Sequence, residues 1–188
     1  MQSYIKKIQN LDESQGLDIL RGYEGNIGRI YFRTVSETLP DEYKFKSREL
    51  RGAKSKYNIV LNYLFGILYR KVTKEMLKMG FELGIGIIHK ENNYNDPFLY
   101  DYIEQFRGTC LGIAYKYFDE GLASKEHFEK NKNGLILTRD GKRVILDLIY
   151  EKFDENIKFK RKNYDFNGFL KQKLLELKKQ IMGFGEER

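Results

Sequence analysis

Tryptophan is absent from the 188 residues, proline occurs twice and cysteine once. The lone Cys110 excludes an internal disulfide and a cysteine-rich zinc site within one chain, and it fits a reducing compartment. Two prolines enforce few chain breaks, which favours long helices over a loop-rich β fold. No apolar run approaches the ~20 residues needed to span a bilayer. Met1 to Asn10 lacks the apolar core of a signal peptide, so the expected location is the cytoplasm, away from membranes. Several enzyme signatures are missing too. Gly84-x-Gly86 has no third glycine opening a helix, as a dinucleotide fingerprint requires, and there is neither a P-loop lysine nor a nucleophile-elbow serine. No repeat or low-complexity tract interrupts the chain.

What is present suits a folded, basic, helical protein. Hydrophobic residues make up 41% of the chain, enough for a true core. Lysine and arginine number 34 against 27 acids, a net charge of +7 that suits either a polyanion partner or ordinary solubility. The length suits one domain, expected over residues 1–188.

Apolar spacing predicts a first helix over Ser14 to Arg33, with Leu17, Leu20, Tyr23, Ile27, Ile30 and Tyr31 on its stripe. Gly22, Gly25 and Gly28 interrupt it at intervals of three, each costing ~1 kcal/mol relative to alanine. Such a glycine face permits close approach by a ligand or by another helix. A polar connection over Ser36 to Ala53 carries Lys44, Lys46, Arg48 and Arg51. A second helix is predicted over Lys56 to Met79, closed by Gly80. Asp96-Pro97 starts a third, running to Glu120 with Leu99, Ile103, Phe106, Cys110, Ile113 and Tyr117 buried. Further helices are expected over Ser124 to Lys130, Asp140 to Phe153 behind a Thr138 cap, and Phe166 to Met182. Strand signals are weak throughout, so the fold class is all-α.

Glu24, His89 and Glu104 come from three separate elements and are residue types that hold magnesium or manganese for phosphoryl transfer. Spacing alone leaves other roles open: a solvated helix acid for Glu24 and a hydrogen-bonded histidine for His89. Asp101 and Glu104, three apart on one face, equally suit pairing with Arg107 or lysines. Tyr43, Phe45 and Tyr57 stand near basic residues, where aromatics either pack in a core or stack on unpaired bases. The run Lys158 to Lys162 reads as a solvated face before a DNA contact.

Six motifs in order resemble the catalytic helical domain of the CRISPR-associated integrase family (CRISPR-associated protein one). Leu20-Arg21-Gly22-Tyr23-Glu24-Gly25-Asn26, followed by Tyr31-Phe32, resembles its glycine-glutamate-glycine signature. Phe45 to Arg51 is similar to its basic approach segment, and Asn58 to Tyr63, continuing to Leu68-Tyr69, to its asparagine-led helix. Gly80 to His89 resembles its glycine-to-histidine segment, and Leu99 to Arg107 its acidic helix. Asn133 to Thr138 with Gly141-Lys142 is similar to its C-terminal region. Each motif alone is weak; their order over nearly the whole chain makes the match specific.

The resemblance implies a CRISPR adaptation integrase working by metal-dependent transesterification, in which prespacer 3′-hydroxyls are joined to the repeat array. It implies Glu24, His89 and Glu104 as ligands for Mg2+ or Mn2+, with Asp101 beside them in the catalytic site. It implies contacts to double-stranded DNA by Arg48, Arg51, Lys54, Lys56 and Asn58, the last also ordering the site. Expected partners are prespacer and repeat DNA, further copies of the chain in a dimer or tetramer, and CRISPR-associated protein two. The family's N-terminal β-sheet domain has no counterpart before Glu24, so the expectation is either a naturally compact form, which is favoured, or a fragment of a longer chain. Gly108 and Gly112 stand where many members have proline and aspartate. Two other functions use the same features: a non-catalytic helical DNA-binding or scaffold subunit, and a metal-dependent DNA endonuclease that cuts without joining.

Overall fold

The computed structural model describes residues 16–50, 52–84, 96–132 and 134–186. They form five α-helices: α1 (Gly16–Thr38), α2 (Lys56–Lys78), α3 (Pro97–Asp119), α4 (Arg139–Asp154) and α5 (Phe166–Glu186). The all-α expectation holds, with two short antiparallel hairpins added: β1 (Phe128–Asn131) with β2 (Gly134–Leu137), and β3 (Ile157–Phe159) with β4 (Lys162–Tyr164). The chain divides into two compact units, Met1–Asn62 with Ala114–Gly141 and Tyr63–Ile113 with Lys142–Arg188. No helix among the described residues is long and apolar enough to cross a membrane.

In the first unit α1 runs five residues past the predicted end. Ser36 explains the extension: its buried hydroxyl donates to the Phe45 carbonyl at 2.6 Å and accepts from the Phe45 N–H at 2.8 Å. The polar side chain thus stays inside the helix by pairing with the returning strand of chain. From Gly22 onward the buried apolar residues on and just after α1 are Val35 and Leu39; Tyr23, Ile27, Ile30 and Tyr31 are half-exposed. Aromatic rings fill the core. Phe45 stacks on Tyr57 at 4.5 Å, and Phe118 packs against Tyr43 at 4.7 Å and Tyr117 at 4.9 Å. Tyr43, Phe45 and Tyr57 are therefore core residues, and the alternative of base stacking does not hold for them.

The expected helix over Ser124 to Lys130 is instead a 3-10 turn, Lys125–His127, leading straight into β1. His127 Nδ1 accepts from the Ser124 N–H at 3.2 Å and lies 2.6 Å from the Tyr117 hydroxyl. Ser124 and His127 thus form a reciprocal capping box at the start of the turn. Thr138 caps α4 as expected, accepting from the Gly141 N–H at 3.2 Å.

In the second unit the predicted stripes of α2 and α3 are buried, with Leu64, Leu68, Val72, Met76, Ile103 and Cys110 fully enclosed. Gly80 ends α2 in a left-handed conformation (φ +78°). Its N–H bonds to the Leu77 carbonyl at 3.0 Å and the Phe81 N–H to the Met76 carbonyl at 3.1 Å, the two bonds of a Schellman cap. Phe153 of α4 stacks on Phe166 of α5 at 4.5 Å. Burial pushes the Cys110 thiol up to about 12, which leaves it protonated and inert. The basic run at 158–162 forms the second hairpin, with Lys160 (φ 46°) and Arg161 (φ 69°) both left-handed at its tip, as a type I′ turn requires. Of the α5 stripe, Leu170 and Leu174 are buried, whereas Ile181 is exposed.

Candidate nucleic-acid interface and acidic helix

Glu24 lies exposed on α1, among the three glycines. A Cβ placed on Gly22, Gly25 or Gly28 would meet nothing within 4 Å, so no described part of the chain uses this face for close packing. Gly25 and Gly28 instead line a groove of about 750 Å³. Its other walls include Asn26, Arg29 and Arg33 of α1 and Lys46, Ser47 and Arg48 of the following segment. Among the described residues, four cations and no acid line it. Gly25, Arg29 and Arg33 are spaced by four, which stacks them on one face of the helix. That spacing was readable from the sequence, and it would have added Arg29 and Arg33 to the candidate residues. Asn26 Oδ1 accepts from Arg29 at 2.6 Å, holding that guanidinium along the helix.

The segment on the other side of the groove is anchored by two asparagines of α2. Asn58 is fully buried. Its Oδ1 accepts from Arg48 at 3.0 Å and from the Glu49 N–H at 3.1 Å. Its Nδ2 donates to the Ser47 carbonyl at 2.9 Å and to the Ser55 hydroxyl at 2.8 Å. Asn62 accepts from Arg48 at 2.5 Å and donates to the Glu49 and Leu50 carbonyls. Glu49 accepts from the Lys54 and Ser55 N–H groups and the Ser55 hydroxyl. Burial works against the charged form of Glu49, but these hydrogen bonds together outweigh it and hold the carboxyl below its usual value.

This network separates the expected DNA contacts by accessibility. Asn58 has its amide fully engaged inside the chain, which leaves no surface for a direct contact. Arg48 reaches the groove, though its guanidinium also ties Asn58 to Asn62. Lys54 is exposed. Lys56 is half-buried, pairs with Glu42 at 3.5 Å and lies over the Tyr43 ring at 5.0 Å. Arg51 lies outside the described residues.

In the second unit Asp101 and Glu104 are both half-buried on α3. Glu104 pairs with Arg107, one turn on. The Arg107 guanidinium donates to the Tyr69 hydroxyl of α2 at 2.5 Å and lies over the Phe65 ring at 5.4 Å. Burial raises the Tyr69 pKa, and Arg107 partly offsets it. His89 lies outside the described residues. Among the described residues, no three His, Cys, Asp or Glu side chains group to hold a metal ion.

The described residues thus form a helical chain with a basic groove on α1 beside an exposed glutamate, and an acidic turn on α3. Residues 1–151 match the family of CRISPR associated protein Cas1, and the chain belongs to that family. It is 24% identical over 184 residues to the CRISPR-associated endonuclease Cas1 of Methanocaldococcus jannaschii, covering 96% of this chain and 56% of that one. It is 28% identical over 151 residues to a second such endonuclease, from Thermodesulfovibrio yellowstonii, covering 79% of this chain and 47% of that one. The chain thus spans about half the length of the curated relatives it matches. It shares its fold with a casposase bound to integration product (TM-score 0.84, 21% identity, 94% of this chain and 50% of that one). It shares it also with a Cas1 protein from Thermotoga maritima (TM-score 0.83, 20% identity, 97% and 57%).

Proposed function

We propose that this chain carries the catalytic part of a CRISPR adaptation integrase, joining DNA 3′ ends to a repeat array by transesterification. The observation that carries the reading is the groove on α1: in a member of this family, four cations and an open glycine face lie beside Glu24. A phosphodiester backbone is the ligand such a groove suits. Arg29, Arg33, Lys46 and Arg48 neutralise phosphates, and the absence of Cβ atoms at Gly25 and Gly28 lets a sugar-phosphate chain lie against the helix. Exposed Lys54 adds a further cation in the same unit, and Arg51 is proposed as a contact from the sequence alone.

In the reaction, a 3′-hydroxyl oxygen of the incoming strand forms a bond to a target phosphorus while the target's own O3′–P bond breaks. Glu24, His89 and Glu104 are the proposed ligands of Mg2+ or Mn2+, with Asp101 one turn from Glu104. Two carboxylates and an imidazole fit these metals, which favour oxygen ligands with one nitrogen at most in such sites. A bound metal supplies polarisation of the phosphate and stabilises the charge of the entering and leaving oxygens. The proposed partners are prespacer and repeat DNA, further copies of the chain, and CRISPR-associated protein two. A Cas6-RT-Cas1–Cas2 complex shares the fold (TM-score 0.86, 21% identity, 97% of this chain and 20% of that one).

The test is strand transfer of a short duplex with free 3′-hydroxyls into a supercoiled plasmid carrying repeats, with Mn2+ or Mg2+ and an EDTA control. Metal-dependent joining that is lost in Glu24→Ala, His89→Ala and Glu104→Ala is expected. Cutting without joining would replace the integrase with an endonuclease. Salt-sensitive DNA binding with no product, even with the small partner added, would replace it with a scaffold.

A further inference from the structure

Arg107 is held unlike an ordinary helix-surface cation. Its Nη1 grips Glu104 Oε1 on the same helix, and its Nη2 donates to the Tyr69 hydroxyl of α2 at 2.5 Å. The guanidinium plane is walled by the rings of Phe65 at 5.4 Å and Tyr69 at 5.8 Å. Tyr69 is itself wedged edge-on against Tyr100 at 5.7 Å. Among the described residues, the buried Arg107 Nε has no hydrogen-bond partner. A flexible arginine whose only task was solubility would swing out and hydrate that donor, since an orphaned buried N–H is costly. The pair differs as well from most exposed i,i+3 ion pairs, which are loose and screened: a second helix, α2, fixes the arginine from outside.

We propose that Arg107 is a positioning residue that locks the Glu104 carboxylate in the orientation needed to bind a divalent metal, with Tyr69 as its anchor. This rests on the reading of Glu104 as a metal ligand. The partners that orient a ligating carboxylate control metal affinity by about 10–100-fold. The competing role is simple charge balance, in which Arg107 only offsets Glu104. The two roles predict opposite signs. Deleting a cation beside a cation site strengthens metal binding if charge alone matters, and weakens it if orientation matters.

The experiment is Mn2+ binding to the full chain, followed by calorimetry, for wild type, Glu104→Gln, Arg107→Gln, Arg107→Lys and Tyr69→Phe, with thermal melts to check folding. Expected are a roughly tenfold or greater weakening in Arg107→Gln, a smaller one in Tyr69→Phe, and partial recovery in Arg107→Lys. Strand joining by Arg107→Gln is expected to return at raised Mn2+. Unchanged or tighter binding in Arg107→Gln, with binding lost in Glu104→Gln, overturns the positioning role and leaves the ligand reading standing. Unchanged binding in Glu104→Gln overturns the ligand reading and this proposal with it. Should Arg107→Gln fail to fold, Tyr69→Phe decides, because it removes one hydroxyl only; Mn2+ affinity equal to wild type there overturns the proposal.

Discussion

Replacing Asn58 with alanine removes one small side chain and four hydrogen bonds, and the consequences can be worked from its partners. Two of the four partners lose little: Arg48 keeps Asn62 at 2.5 Å, and the Ser55 hydroxyl keeps Glu49 at 3.3 Å. The other two are main-chain groups, the Glu49 N–H and the Ser47 carbonyl, which meet Asn58 at a fully buried position. Each orphaned buried group costs about 1–3 kcal/mol. The sum for Asn58→Ala is therefore roughly 2–6 kcal/mol, a large part of the ~5–15 kcal/mol that holds a typical domain folded. Asn62 supplies the internal comparison. It is half-exposed, and water can replace it at the Glu49 and Leu50 carbonyls, so Asn62→Ala should cost only about 1 kcal/mol. Urea unfolding followed by circular dichroism measures both. An Asn58→Ala loss no larger than that of Asn62→Ala would show that the amide is not the clamp on residues 47–55.

Gly141→Ala should destabilise by about 1–3 kcal/mol despite alanine's helix preference, because the new Cβ would lie 2.5 Å from the His127 carbonyl oxygen; an unchanged or raised melting temperature would contradict this. Converting the hairpin tip Lys160-Arg161 to Asn-Gly should stabilise the chain by about 1–2 kcal/mol, since both residues sit left-handed, and a lower melting temperature would rule that out. Glu49 has a depressed folded pKa, so its contribution is present above the ordinary carboxylate value and fades as pH falls through the folded one. The stability gap between wild type and Glu49→Gln should therefore narrow on acidification below about pH 4.5, and a gap independent of pH there would refute the network's hold on that carboxylate.

The parts of this fold that were readable from sequence are those where one signal acted alone. On α2 and α3 the apolar period runs uninterrupted for six turns, and the buried residues fall where that period puts them. The hairpins were not readable because their strands are three or four residues long, too short for an alternation to show. The tip of the second carries Lys-Arg where a I′ turn ordinarily carries asparagine or glycine. The first did offer an Asn133-Gly134 pair, but the basic residues around it masked the signal. Ser36 failed for a different reason: a serine reads as a helix end until its partner nine residues later is known. For the aromatics Tyr43, Phe45 and Tyr57 the sequence left core packing and base stacking both open, because lysines stand beside them, and only their packing decides for the core.

The glycines of α1 show where residue type and geometry have to be combined. From sequence, helix packing and ligand approach explained them equally well. A helix interior with three glycines gives up ~3 kcal/mol of intrinsic stability, and natural sequences keep such a loss where something else offsets it. Among the described residues no packed neighbour does: all three positions are open, and no side chain from Gly22 to Thr34 is buried. The same face presents Arg29 and Arg33 at the spacing of successive turns, opposite Lys46 and Arg48. On the DNA reading a single cause accounts for both the missing side chains and the added charge, since a phosphodiester chain needs the first to come close and the second to remain. Gly25→Ala and Gly28→Ala should then raise the melting temperature while weakening DNA binding, whereas a packing role would lower the one and spare the other.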